Sequence, residues 1–398
     1  MEQLLRSSLR VARREWQRLV ETKGALLIMF GIPLALFPLL AGIYLHGVVR
    51  EMPVAVFDAD QSELSRLVIR YLDASSAFHV VGSASSVDEI QTLFRRGEIK
   101  AAVAIPESME RDVKRGENTQ IVVYNDATNL ILANMTLKEA STVVKTVSAG
   151  IAIKQLRSRG MSEDQARRAV MPIRVQAQSL YNPTYNYADY LVTGIVPALF
   201  QLTVMVLSVL LICGEEADGT FPQLASVARG NAVPIILGKA LPYLACNLAT
   251  SMGILWMLYP LFGISVSGSP AVLFLLFLLF VAASFFIGLM ISSLVRDRML
   301  ATEVALFINI PAFIISGYIY PFRAMPWPYV AFANVLPYTH FLKGFVAVGR
   351  MGLPLSGASG PVLALLILTA VGMAGSAILI QRRIGSLQKA EHAVMEEA

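Results

Sequence analysis

The chain has 398 residues, 55% of them hydrophobic and 15% charged, with a formal net charge of +5. Soluble domains carry about a quarter charged residues, so this composition points to burial in a membrane. The basic excess does not mark a nucleic-acid binder, because the cations are scattered or flank apolar stretches. Two cysteines, Cys213 and Cys246, exclude a disulfide framework or a thiol-built zinc site.

The first 23 residues hold Arg6, Arg10, Arg13, Arg14, Arg18 and Lys23 against three acids. The positive-inside rule places this segment in the cytoplasm. Leu5, Leu9, Ala12, Trp16 and Leu19 recur at helical spacing with arginines opposite. That pattern predicts an amphipathic helix over 1–23, which either lies on the anionic inner leaflet or is an ordinary solvated helix. A cleaved signal peptide would need a shorter apolar core and a small-residue cleavage site.

No Asp, Glu, Lys or Arg occurs between Lys23 and Arg50, Asp189 and Glu215, Lys239 and Arg296, Glu303 and Arg323, or Arg350 and Arg382. A membrane-crossing helix needs about 20 apolar residues. The Lys239–Arg296 stretch accommodates two, separated by Gly263-Ile-Ser-Val-Ser-Gly-Ser-Pro270, which is loop chemistry. Six spans are therefore predicted, at roughly 24–45, 188–213, 236–260, 271–294, 301–320 and 358–381. An even number returns the C-terminal tail, 382–398 with Arg382, Arg383 and Lys389, to the cytoplasm.

Residues 46–187 differ in kind. They carry 17 of the 33 basic and 16 of the 28 acidic residues. Strands are predicted at 53–58, 78–81, 101–105, 120–124 and 175–180. Helices are predicted at 61–73, 86–97, 107–116, 128–159 and 162–169, the last capped by Ser162. The fold class is thus an α-helical integral membrane protein of six transmembrane helices with an inserted α/β extracytoplasmic domain. The tyrosines of 181–187 suit an interfacial anchor. Asp58 and Asp60 after the first strand are either a turn or a catalytic or metal-binding pair, and turn formation is the commoner use. His79 has no partner at ligand spacing.

Between spans two and three runs Cys213-Gly-Glu-Glu-Ala-Asp-Gly-Thr-Phe-Pro-Gln-Leu-Ala225. Its acids make either a solvated loop or a compact negative docking surface, and Thr220 is placed to cap a short helix. Farther on, Pro321, Pro326, Pro328 and Pro337 forbid a continuous helix through 321–340. Trp327, Tyr329, Tyr338 and His340 are interfacial types there, consistent with a wet outer vestibule or gate, or with a plain surface loop. Apart from Glu303, the middles of the spans carry no ionisable group, which argues against an ion-coupled transporter. Gln201, Asn247, Ser284 and Asn309 are left to line a path or to glue helices together.

Three stretches together resemble the ABC-2 type permeases. Glu215, Glu216, Gly219, Thr220, Gln223, Leu224, Gly238 and Lys239 are similar, in order, to that family's coupling loop, here 214–235. Ser316-Gly-Tyr-Ile-Tyr-Pro321, Met325-Pro-Trp327 and Leu336-Pro-Tyr-Thr-His-Phe341 resemble its re-entrant segment, here 321–345, with Pro321, Pro326, Trp327, Pro337 and Tyr338 as the outer gate. Pro53-Val-Ala-Val-Phe-Asp-Ala-Asp60 and Tyr181-Asn-Pro183 are similar to the subgroup carrying a large domain after span one, which contains bacterial drug- and lipid-type exporters. The family often has a basic residue among the loop acids; this chain has Cys213, Gly214, Ala217 and Asp218 there.

The resemblance implies a dimeric permease of the bacterial inner membrane, paired with a second copy or paralogue. A separate ATPase subunit would dock on the coupling loop and N-terminal helix. Neither Gly230 nor Gly238 sits in a Gly-x4-Gly-Lys-Ser/Thr frame, so no cofactor is expected on this chain, and ATP and magnesium would belong to the partner. The function implied is ATP-driven export of an amphiphilic drug, lipid or similar molecule, with membrane lipid around it and room for a periplasmic adaptor. A non-transporting receptor or assembly factor that binds an external partner through its insert is the alternative.

Overall fold

The computed structural model describes residues 2–43, 50–171, 178, 180–183, 186–261, 263–264 and 266–397. It divides into two compact units, Met1–Gly47 with Ser179–Ala398, and Val48–Gln178.

Among the described residues, the first unit contains six helices long and apolar enough to cross a membrane: Lys23–Leu40, Asp189–Ala217, Ala232–Leu261, Pro270–Leu294, Arg298–Ile315 and Leu355–Lys389, spans one to six. Each follows from an uncharged stretch, because in hydrocarbon a helix satisfies its own backbone polar groups. Span four is the hub. It packs against spans two and six, and Phe280 and Phe285 are completely buried in it. Phe280 stacks on Phe341 with ring centroids 4.2 Å apart, and Phe277 meets the same ring edge-on at 4.8 Å. Such aromatic pairs contribute about 0.5–1.5 kcal/mol beyond simple burial.

Two boundaries differ from the sequence expectation. Span five ends at Ile315 rather than near 320, because Pro311 interrupts it and Gly317 turns the chain at φ +84°. The last helix runs from Ser359 to Glu397 without a break, so span six and residues 382–397 form one continuous helix.

Prolines cut the segment between spans five and six as expected. A 3-10 turn, Phe322–Ala324, is followed by helices Trp327–Val335 and Pro337–Phe345, each with proline in its first turn. Proline is tolerated there because the missing N–H has no intrahelical acceptor to lose.

Among the described residues, the second unit is built on a four-stranded sheet: β1 Met52–Asp58, β2 Phe78–Ser83, β3 Ala101–Ile105 and β4 Val122–Asn125, in the order β2-β1-β3-β4. β1 lies parallel to β2 and β3, while β4 pairs antiparallel to β3. Strand alternation sorts the side chains. Met52, Val54, Val56, Ala101, Val103 and Ile105 pack with Val68 and Leu72 of helix Glu63–Asp73 and with Ala140, Val143 and Val147 of helix Leu130–Ser158. Ala55 and Ala102 face the opposite way, onto Ile90 of helix Val87–Arg96. Central strands covered on both faces are apolar throughout, which is why β1 and β3 read as unbroken hydrophobic runs.

Helix Glu63–Asp73 is capped by Ser62, and Val87–Arg96 by Ser86. Helix Glu163–Val170 starts in a reciprocal capping box between Ser162 and Gln165. Asp58 accepts hydrogen bonds from the amides of Asp60 and Gln61 and from the Ser65 hydroxyl, and Asp60 accepts one from the amide of Glu110. Both acids serve the turn after β1 and the helices around it. The strand expected at 175–180 falls largely outside the described residues, as does Tyr185 of the tyrosine cluster.

Candidate functional site: the loop between spans two and three

Span two ends on a glycine turn. The Thr220 amide donates to the Glu215 carbonyl at 2.8 Å, the Gly219 amide donates to Glu216, and Gly219 has φ +67°. This is a Schellman closure, which requires the left-handed conformation that glycine adopts without steric cost. The short helix Phe221–Val227 follows, with Phe221 and Leu224 buried and Pro222, Gln223, Ser226 and Arg229 facing out. Thr220 does occupy the N-cap position, but it makes no capping bond. Its hydroxyl donates to the Glu215 carboxylate instead.

Glu215, expected on an exposed acidic surface, is buried, and this changes the chemistry of the loop. Arg14 of the N-terminal helix Glu2–Glu21 grips it with two nitrogens, at 2.6 and 2.9 Å. Arg18, one turn on, donates to it as well. Lys239 of span three approaches to 3.0 Å and also reaches Glu15 at 2.7 Å. Glu15, Glu215 and Lys239 are each no more than 2% exposed. Buried charges persist only when paired and hydrogen-bonded, and here two carboxylates face three cations. The hydrogen bonds to Glu215 hold the Arg14 guanidinium above its ordinary pKa.

The neighbouring acids are engaged too. Asp218 pairs with Arg298 at 2.5 Å and with Arg18 at 3.4 Å, and Arg298 also donates to the Gly214 carbonyl. Glu216 lies 2.6 Å from Arg383 in an ion pair without hydrogen-bond alignment. Gln381, beside it on the last helix, accepts from the Ala232 amide and donates to the Gly230 carbonyl. The loop is therefore clamped by helices from both ends of the chain. Glu215 is enclosed and Glu216 half-buried, while Asp218 stays exposed beside Pro222, Gln223, Ser226 and Arg229.

The Gly238-Lys239 pair has a direct structural reading. A Cβ at Gly238 would sit 2.5 Å from Val11 and 2.8 Å from the Ser8 carbonyl, so glycine lets the N-terminal helix lie directly on span three. That contact delivers Glu15 to Lys239. The buried face of the N-terminal helix carries Ser7, Ser8, Val11, Ala12, Glu15 and Leu19, while Leu5, Leu9 and Trp16 of the apolar stripe stay exposed. Sequence reasoning missed Arg14, Glu15 and Arg18 as partners. The signal was available in Lys239, a charge within a predicted span, where an ionisable group demands a partner.

The five residues expected to form an outer gate are split. Pro321, Pro326 and Trp327 are exposed, Trp327 by 79%. Pro337 and Tyr338 are buried. Tyr338 is tied into the protein interior: its amide donates to Gln201 at 2.7 Å and its hydroxyl to the Gly194 carbonyl at 2.9 Å. Gln201 in turn donates to Asn309 at 2.7 Å, and the Ser284 hydroxyl approaches it at 3.5 Å. Three of the four weakly polar span residues thus form one buried knot tying spans two, four and five to helix Pro337–Phe345. Asn247 stands apart, donating to Tyr243. Burial lowers the pKa of His340 and Lys343, and Lys343 lies 4.4 Å over the Phe322 ring.

Residues 23–378, most of the chain, match the ABC-2 family transporter protein profile. The chain belongs to the ABC-2 transporter family. This permease is 24% identical over 333 residues to the probable multidrug ABC transporter permease YbhR of Escherichia coli K12, covering 83% of this chain and 86% of that one. It is 22% identical over 347 residues to the inner membrane transport permease YhhJ of the same strain, covering 85% and 87%. It is 23% identical over 346 residues to ABC transporter G family member 20 of Dictyostelium discoideum, covering 85% of this chain but only 45% of that relative. The permease thus spans less than half the length of the Dictyostelium protein. The loop clamped by Arg14 and Lys239 lies inside the matched region, whereas Arg14 itself precedes it.

Proposed function

We propose that this permease is the membrane subunit of an ATP-driven exporter of an amphiphilic substrate, and that a separate ATPase subunit moves it by pushing on helix Phe221–Val227. The observation that carries this reading is the buried charge network joining that loop to the N-terminal helix and to span three. A force applied to the loop passes into spans two and three together, because the ion pairs leave the loop little freedom of its own. Both termini face the cytoplasm in this reading, the Val48–Gln178 unit lies outside, and two copies or paralogues form the pathway in the bacterial inner membrane. The relatives' names, a multidrug permease among them, support an export role.

Docking on the ATPase falls to the outward residues Gln223, Ser226 and Arg229 and not to the enclosed Glu215. Co-purification of an affinity-tagged ATPase subunit with the permease tests this. Ser226→Trp is expected to abolish co-purification while the permease stays folded by thermal melting. Retention of the ATPase by both Ser226→Trp and Arg229→Glu would remove the loop helix as the docking element.

A further inference from the structure

The Val48–Gln178 unit carries a surface cleft of about 830 Å³ between helices Glu63–Asp73, Met109–Arg115 and Leu130–Ser158. That volume lies in the range of small-molecule sites, about 300–1,000 Å³. Its apolar lining comes from Leu67, Val113, Val147 and Ile151. Arg66, Arg70, Lys114 and Lys154 line it as well, against two carboxylates, Glu63 and Glu110. Lys114 is held by Glu110 at 3.1 Å, and Arg66 donates to the Gln61 carbonyl. Arg70 and Lys154 have no ion pair among the described residues.

Gly150 is the second observation. It lies in the interior of the 29-residue helix Leu130–Ser158, where glycine costs about 0.5–1 kcal/mol relative to alanine. A Cβ built there meets no atom within 4 Å. Packing against the fold therefore does not require glycine at this position, and the missing side chain leaves the cleft open there. A larger side chain would fill the space.

We propose that this cleft binds a single-chain anionic amphiphile, its hydrocarbon on Leu67, Val147 and Ile151 and its phosphate or carboxylate head between Arg70 and Lys154. Cations at the rim of an apolar trough match both parts of such a molecule, and charge-assisted hydrogen bonds to the anion supply the discrimination. The site stands whichever side of the membrane the unit faces, and whether or not the permease is ATP-driven.

The test is photolabelling of the full chain in phosphatidylcholine nanodiscs by a dodecyl phosphate carrying a diazirine at the end of its chain, read by peptide mass spectrometry. Labels are expected on peptides covering 64–71 and 146–155. Labelling is expected to fall about tenfold in Arg70→Glu/Lys154→Glu, the loss of one or two charge-assisted contacts. Gly150→Leu, which favours the helix, is expected to abolish labelling without lowering the melting temperature. The matched dodecyl trimethylammonium probe should leave these peptides unlabelled. Equal labelling by the cationic probe, equal labelling of Gly150→Leu, or full competition by inorganic phosphate at the probe's concentration would each overturn the assignment.

Discussion

Lys239 and Glu215 meet at 3.0 Å inside the protein, the lysine side chain 1% exposed and the glutamate not at all. One begins the longest uncharged stretch of the chain and the other ends a different one. Their contact fixes the distance between spans two and three at the end where the connecting loop leaves them.

Removing one partner of a buried ion pair strands the other charge, at a cost of about 3–5 kcal/mol. Glu215→Gln, which deprives Arg14, Arg18 and Lys239 together, is expected to lower the melting temperature of the purified permease markedly. Glu215→Gln combined with Lys239→Met is expected to recover part of the loss. A double variant no better than the sum of its singles would show that the two charges are not energetically coupled.

Gly238→Val places a branched side chain where Val11 and the Ser8 carbonyl already lie. Lifting the N-terminal helix is expected to loosen its backbone, so that trypsin cleaves after Arg10, Arg13 and Arg14 at a rate at least several-fold above wild type, with the spans intact. Unchanged cleavage would mean that the helix is held by something other than its contact with span three.

Gln201→Leu leaves the Asn309 Oδ1 and the Tyr338 amide without the partner that Gln201 supplies. Each unsatisfied group costs about 1–3 kcal/mol. Hydrogen exchange at Tyr338 and its neighbours is expected to accelerate, because Gln201 supplies the acceptor for the first turn of helix Pro337–Phe345. Exchange confined to its wild-type rate would show that Pro337 alone sets the start of that helix.

Asp58→Ala removes three hydrogen bonds from the turn after β1, to Asp60, Gln61 and Ser65. A loss of about 1–2 kcal/mol is expected, by analogy with a helix cap. Asp58→Asn, which keeps the acceptor oxygen for the two amides, should lose less. Equal losses in the two variants would place the charge, rather than the acceptor geometry, at the centre of this turn.

The six spans, the α/β pattern between the first two and the broken segment before the last were all legible in the chain itself. The physical reason is local in each case. An uncharged run of 20 residues has one economical conformation in lipid, a serine cap acts on amides three residues away, and proline blocks a helix wherever it stands.

What the tertiary structure alone decided is which charges and polar groups meet. Arg14 and Glu215 are separated by 201 residues, and Tyr338 and Gln201 by 137. Nothing in local propensity distinguishes a glutamate that will face water from one that will be enclosed by two arginines and a lysine. Packing decided it: glycine at 238 admits the N-terminal helix against span three, and that approach turns an acidic loop expected to offer its carboxylates outward into one that spends them on holding itself in place.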